Sequence, residues 1–201
     1  MALVPYVENP LPALSKLNNS SAHFRFANHD LSLAQDWKNL GVAAVVWDAA
    51  VVMCMYLELG KVELKGKEVI ELGAGTGLVG IVAALMANVK ANLPPESQES
   101  VFVSELSWGE GLERYPAGGF DLVLGADIIY LEDTFVPLLH TLAHLCSDTA
   151  VVFLACKIRY KRDTNFLSML KQQFAVEEVY FDRQRDIHVY KAWKLTTRRD
   201  L

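Results

Sequence analysis

Cysteine is scarce. Only three occur in 201 residues, Cys54, Cys146 and Cys156, and no two have the C-x-x-C spacing of a redox pair or a thiolate zinc site. Their odd number and apolar surroundings predict buried free thiols in a reducing compartment, the cytoplasm first and the nucleus second. Basic charge is also short. Lys and Arg number 19 against 24 Asp and Glu, a net charge of -5, so the basic surface of a generic nucleic-acid binder is not expected. No apolar run approaches 20 residues and no charged-then-apolar segment opens the chain, so neither a membrane span nor a secretory signal is predicted. His140 and His144 stand four apart, but no H-E-x-x-H pattern and no third ligand accompanies them, so no metal site is predicted. With no internal repeats, the expectation is one α/β domain over residues 1–201. Residues 1–60 form an N-terminal extension with a lead-in helix, and 61–201 form the core.

What the chain does have is one dense stretch, Val69-Ile70-Glu71-Leu72-Gly73-Ala74-Gly75-Thr76-Gly77-Leu78. Val69, Ile70 and Leu72 are strand formers. Gly73, Gly75 and Gly77 permit a sharp turn and close approach of a ligand to bare backbone. The apolar run Leu78 to Met86 then predicts a helix packed on a sheet. Its N–H groups face polar or anionic ligand atoms, at the carboxyl end of the strand where α/β proteins place their sites. Gly75 to Gly80 literally matches G-x-G-x-x-G, the dinucleotide fingerprint. The register is wrong for it: the first turn glycine is Gly73, an acid precedes it, and the downstream acids Glu96 and Glu99 sit beside Pro94-Pro95. A P-loop is excluded because no Gly-Lys-Ser/Thr follows.

The remaining elements can be read in order. Met1 to Asn19, with three prolines, is an extended lead-in. Phe24-Arg25-Phe26 and Leu31-Ser32-Leu33 alternate around Asn28-His29-Asp30 and predict a hairpin. Asp36 to Gly41 reads as a loop, and Val42 to Val52 leads into a helix capped near Leu59-Gly60. Trp47, just ahead of that helix, is a core residue or a pocket wall. No strand fits between Met86 and Pro94, so the next strand candidate is Val101 to Ser104. Phe120 to Asp127 is a buried strand ending in an acid. Thr134 to Cys146 is an amphipathic helix, and Ala150 to Cys156 another buried strand. Lys157 to Arg162 reads as a basic loop, either a solvated face or, since it flanks the carboxyl edge of the sheet, a contact for an acidic protein partner. Asn165 to Gln173 is helical, and Phe174 to Phe181 with Ile187 to Leu195 form a closing antiparallel hairpin.

Four features coincide: Trp47-Asp48-Ala49-Ala50, the E-L-G-A-G-T-G run, Glu105-Leu106-Ser107-Trp108-Gly109, and Gly125-Ala126-Asp127-Ile128-Ile129-Tyr130. Together they closely resemble the seven-stranded lysine methyltransferases of methyltransferase-like family 16, which pair a glycine-rich motif I with D-x-x-Y. The resemblance implies a Rossmann-like class I methyltransferase sheet, mainly parallel with an antiparallel C-terminal edge. It implies S-adenosylmethionine as cofactor, bound by Trp47, Glu71, Gly73, Ala74, Gly75, Trp108 and Ala126. Asp127 and Tyr130 become the catalytic pair facing the target lysine, and a seventy-kilodalton-class heat-shock chaperone becomes the protein substrate.

The chain departs from that family between Ala87 and Asn88. A second strand, the acid that grips the ribose hydroxyls and most of the next helix are missing, together about fifteen to twenty residues. The lost carboxylate–hydroxyl contact is worth roughly 1.5–3 kcal/mol. A direct crossover from the Leu78 helix to Val101–Ser104, bringing Glu105 toward the vacated ribose position, would repair the sheet. The competing readings are a catalytically weakened or inactive chaperone-binding form and an NAD(P)-dependent oxidoreductase.

Overall fold

The computed structural model describes residues 19–91 and 102–195, with the backbone alone for 88–91. The expected lead-in before residue 19, the Pro94-Pro95 loop with Glu96 and Glu99, and Val101 lie outside the described residues.

A five-stranded sheet in the order β3-β4-β5-β7-β6 carries the fold. Its strands are β3 (Val69–Leu72), β4 (Phe120–Ala126), β5 (Cys146–Cys156), β6 (Phe174–Asp182) and β7 (Ile187–Lys194). β3, β4 and β5 run parallel. β7 pairs antiparallel to β5, and β6 antiparallel to β7. The expected mainly parallel sheet with an antiparallel C-terminal edge is therefore present. So is the N-terminal hairpin, β1 (Ser21–Phe26) with β2 (His29–Ala34).

Period-2 alternation divides the sheet's side chains between two cores. Leu122 and Leu124 of β4, with Phe153 and Ala155 of β5, meet α1 (Asp48–Glu58) and α2 (Leu78–Ala91). Val123, Val152 and Leu154 face α3 (Phe135–Leu145) and α4 (Lys161–Leu170). On α3 the buried positions Phe135, Leu138, Leu139, Leu142 and Leu145 recur at helical spacing, which makes one apolar stripe. α1 ends where Gly60, at φ 70, donates its N–H to the Leu57 carbonyl at 3.0 Å. The hairpin is tied to α1 by the Ala27 N–H donating to Glu58 Oε1 at 2.8 Å. It is tied to the approach to α1 by buried Gln35, whose Oε1 accepts from the Val46 N–H at 2.8 Å.

Several boundaries differ from expectation. Residues 37–40 make a helical turn rather than open loop, because Asp36 Oδ1 accepts from the Asn39 N–H at 3.1 Å and caps it. α2 continues past the expected Met86 through Ala91, so helix crosses the junction between Ala87 and Asn88. α4 begins at Lys161 instead of Asn165, because Asp163 supplies acceptors for the N–H groups ahead of its first turn.

The largest correction concerns the replacement strand. Residues 102–104 form no ladder, and Phe102 and Val103 are 87% and 96% exposed. The crossover that would seat this segment beside β3 is therefore not made. β3 stands at the sheet edge, paired only with β4 among the described residues.

Candidate functional site

The candidate site lies along the carboxyl ends of β3, β4 and β5. β3 runs into the glycine turn, where Gly73, Gly75 and Gly77 have φ of 63, 55 and 77. L-residues with a Cβ avoid this region. Sterics reinforce the choice at two positions. A Cβ on Gly73 would sit 2.7 Å from Ile128 Cγ2 and 3.7 Å from the Trp108 ring, and one on Gly75 would sit 2.7 Å from the Ala43 carbonyl oxygen. Gly73, Ala74 and Gly75 are exposed, so the turn presents bare main chain outward while protein packs behind it.

These contacts draw separated segments together. The segment ahead of α1 reaches Gly75 through Ala43, and Trp47, 37% exposed, folds back to donate its indole N–H to the Val42 carbonyl at 2.9 Å. Trp108, from the segment before β4, brings its ring close to Gly73. Ala126 ends β4, and Ile128, just beyond it, covers both Gly73 and Gly125. Sequence reasoning left Trp47 between core and pocket wall; at 37% exposure it is not a core residue.

Glu71 points from β3 toward α2. Its Oε2 accepts the Gly80 N–H at 2.7 Å. A Cβ on Gly80 would stand 2.9 Å from that oxygen. The last glycine of the apparent dinucleotide fingerprint thus serves a different purpose: it admits the Glu71 carboxylate to the helix backbone. Burial raises the Glu71 pKa to about 7, against the lowering effect of the Gly80 hydrogen bond. A carboxylate so poorly solvated is suited to a cationic ligand group, such as the α-ammonium of an amino-acid moiety. The exposed glycine turn, the α2 N-terminus and this carboxyl together fit the methionine end of S-adenosylmethionine. The ribose end fits less well, because no strand lies beyond β3 among the described residues to present the customary acid.

Asp127 follows β4 in the left-handed region, φ 54. That conformation costs roughly 1–2 kcal/mol, although Asp tolerates it better than most residues. Its N–H donates to the Ala155 carbonyl at 2.8 Å. Its carboxylate accepts two hydrogen bonds from Arg159, Nη1 to Oδ1 at 2.9 Å and Nη2 to Oδ2 at 3.0 Å. The hydrogen bond to Asp127 is the leading cause that raises the Arg159 pKa above its ordinary value, so the guanidinium stays charged. Tyr130, three residues on, is 42% exposed.

Sequence reasoning missed Arg159 and Asp163, having read the run Lys157 to Arg162 as a basic surface. In the structure much of that run is turned to acids of the same chain. Lys157 lies 3.2 Å from Asp186, Arg159 grips Asp127, and Arg162 lies 3.7 Å from Asp163. Buried Asp163 Oδ2 accepts from the N–H groups of Arg159 and Tyr160 at 2.7 and 2.9 Å. An acid three residues after the last non-helical position was the available sign. All three cysteines are buried and free. Burial raises Cys146 to about 11 and Cys156 to about 12, so both are inert thiols.

Comparison with known proteins agrees with this geometry. The family model described as lysine methyltransferase matches residues 25–93 and 83–173. A zebrafish (Danio rerio) relative, protein N-lysine methyltransferase METTL21A, is 63% identical over 211 residues, covering 96% of this chain and 97% of its own. The mouse (Mus musculus) protein of that name is 56% identical over 218 residues, covering all of both chains. That alignment length against 201 residues leaves about 17 positions of the mouse protein without a counterpart here. The two family-model segments meet at residues 83–93, where the sequence itself showed the break. Mouse EEF1A lysine methyltransferase 3 is 43% identical over 194 residues, covering 87% of this chain and 82% of its own. Among solved structures, the T. thermophilus 16S rRNA N2 G1207 methyltransferase (RsmC), in complex with AdoMet and guanosine, has a TM-score of 0.60 at 16% identity, over 87% of this chain and 50% of that one. At that identity only the fold is shared. With motif I, the left-handed aspartate and the matched segments in register, the chain belongs to the lysine methyltransferase family.

Proposed function

We propose that this chain is an S-adenosylmethionine-dependent protein-lysine N-methyltransferase acting on a seventy-kilodalton-class heat-shock chaperone in the cytoplasm, with the nucleus as a second location. The observation that carries the reading is the placement of Asp127. It is strained at φ 54 beside Ile128, which itself packs on Gly73 of the cofactor turn. A non-glycine residue held in that region at a strand's carboxyl end is a mark of function.

Bound S-adenosylmethionine supplies an electrophilic methyl group on a sulfonium. Glu71 would hold the methionine ammonium, the backbone of Gly73, Ala74 and Gly75 would lie beneath the cofactor, and Trp47, Trp108 and Ala126 would line it. The target lysine must arrive as the free amine. With an ordinary pKa near 10.4, losing its proton at neutral pH costs about 4–5 kcal/mol. A partly dry site lowers that cost. Asp127 orients the amine through its N–H groups, and the exposed Tyr130 ring offers a face to the developing cation. The lysine Nζ lone pair would take up the methyl group that the bound cofactor supplies, and the former S–C bonding pair would stay with sulfur. The amine's extra proton leaves to solvent. The protein's part is alignment and desolvation.

A second reading is favoured by one observation. β3, which begins the cofactor turn, lacks a strand on its outer side among the described residues. A form that binds the chaperone without turning over is consistent with that edge. Two measurements separate the readings. Calorimetry with S-adenosylmethionine, S-adenosylhomocysteine and NAD identifies the cofactor, and NAD binding alone would overturn the proposal. Radiolabelled methyl transfer to the chaperone, or instead to elongation factor 1A, identifies the substrate. Binding to the chaperone without label incorporation favours the second reading.

A further inference from the structure

We propose that Arg159 is a positioning residue for methyl transfer: it stays paired with Asp127 and keeps the lysine end of the site electrically neutral, so that the target amine enters as the free base. The inference rests on the reading that Asp127 faces the substrate lysine.

The geometry is that of a fixed pair rather than a passing contact. Both guanidinium Nη atoms are used, one on each carboxylate oxygen, at 2.9 and 3.0 Å. A bidentate fork of this kind has one orientation. The Asp127 side chain is only 11% exposed. Each partner's main chain is separately anchored, Asp127 N–H on the Ala155 carbonyl and Arg159 N–H on the Asp163 carboxylate. The two residues are therefore set by adjacent strand ends, not by each other alone.

The charge balance follows. A lone carboxylate within about 4–6 Å of a lysine raises its pKa by 1–3 units, which holds it as a non-nucleophilic ammonium. The guanidinium offsets that charge. It also leaves lone pairs on both Asp127 oxygens to accept and orient amine N–H groups. Among the described residues, the other ionisable groups around the pair are partnered or neutral. Asp163 of α4 takes the Arg159 and Tyr160 N–H groups and lies near Arg162. Glu178 of β6 is bonded to His188 of β7 at 2.9 Å. Lys157 is paired with Asp186. The Cys156 thiol of β5 is neutral, its pKa at about 12. Asp127 is thus the charge the amine meets, and Arg159 is what cancels it.

The test is the pH dependence of kcat, which reports groups in the enzyme–substrate complex, for methyl transfer by the wild type, Arg159→Met and Arg159→Lys. In Arg159→Met the rising limb is expected to move upward by about 1–3 units, with activity lost at neutral pH and regained in alkaline buffer. Arg159→Lys, which restores the charge, is expected to return the limb toward the wild type. An equal fall at every pH marks a merely structural role and overturns the proposal. A lower KM with higher kcat/KM at neutral pH in Arg159→Met would show that lysine displaces the arginine, and overturns it too. A second measurement needs no turnover. Guanidinium N–H resonances of Arg159 are expected in slow exchange in the wild type and absent in Asp127→Asn; their absence from the wild type overturns the fixed pair. A protected pair in a chain that methylates nothing at any pH removes the proposed activity, and this proposal with it, while leaving the ion pair standing.

Discussion

At the scale of single residues, Glu71 and Asp127 are two carboxyl groups given different work by their surroundings. Glu71 is partly buried against α2, and the loss of solvent around its carboxyl raises its pKa to about 7. Protonated, it contributes stability that is full below the ordinary carboxyl value near 4.5 and is lost as pH rises through about 7. Glu71→Gln keeps an acceptor for the Gly80 N–H and removes the buried charge. That variant is expected to melt at a higher temperature than the wild type at pH about 8, with a gain of the order of 3 kcal/mol, and to match it near pH 4. Equal melting temperatures in the alkaline buffer would contradict the assignment. Cofactor binding is expected to weaken in the same variant. In the wild type it is expected to release protons near neutral pH, as a cation draws the Glu71 proton off; calorimetry in buffers of different ionisation enthalpy measures this. Asp127→Ala removes the orienting carboxylate but none of the glycine turn. Methyl incorporation should fall below detection while S-adenosylmethionine affinity persists, and retained turnover would strip Asp127 of its role.

At the scale of elements, the glycine turn and strand β3 are the sensitive parts. Gly75→Ala places a Cβ 2.7 Å from the Ala43 carbonyl oxygen, a main-chain atom that cannot swing aside, at φ 55. Gly73→Ala meets the Ile128 side chain at the same distance, and that side chain can adjust. Gly75→Ala is therefore expected to be the more damaging, by about 1–3 kcal/mol in stability, with a matching loss of cofactor affinity; thermal melts of the two variants compare them. β3 has only four residues and, among the described residues, a ladder on one side, so its amides should open more readily than those of β4 and β5. Hydrogen exchange is expected to show the β3 amides exchanging at least about tenfold faster. Equal protection would mean that some partner covers the edge.

At the scale of the whole molecule, the shortening at the Ala87–Asn88 junction, inside α2, sets the outcome. About 17 positions present in the mouse relative have no counterpart. The sheet nevertheless closes its two cores, since the strands that carry them, β4 and β5, are flanked on both sides. The cost falls on the rim of the cofactor site. Insertion of the relative's segment after Ala87 is expected to raise S-adenosylmethionine affinity by about 10- to 150-fold, the value of one restored carboxylate–hydroxyl contact. It should also reduce any concentration-dependent association through the open β3 edge, which light scattering reports. Unchanged affinity after insertion would show that the ribose contact is not what this chain lacks.

Adjacent residues were enough to place β1 to β7, the glycine turn and the acid at the end of β4, though not to exclude a strand at Val101–Ser104. Those features are local: period-2 alternation, glycine's access to positive φ, and an apolar run broken by a charge are all written in adjacent residues. Cofactor-site candidates such as Gly73 and Trp108, 35 positions apart, could be named in the sequence only by resemblance, and their contact is a result of folding. Only the tertiary structure decided that Arg159 turns inward to Asp127, that Gly80 exists to admit Glu71, and that residues 102–104 do not replace the lost strand. Each of these depends on which strand ends lie side by side. A basic run looks alike whether it meets water or an acid 32 residues away, and an apolar segment becomes a strand only if a neighbour offers it a free ladder.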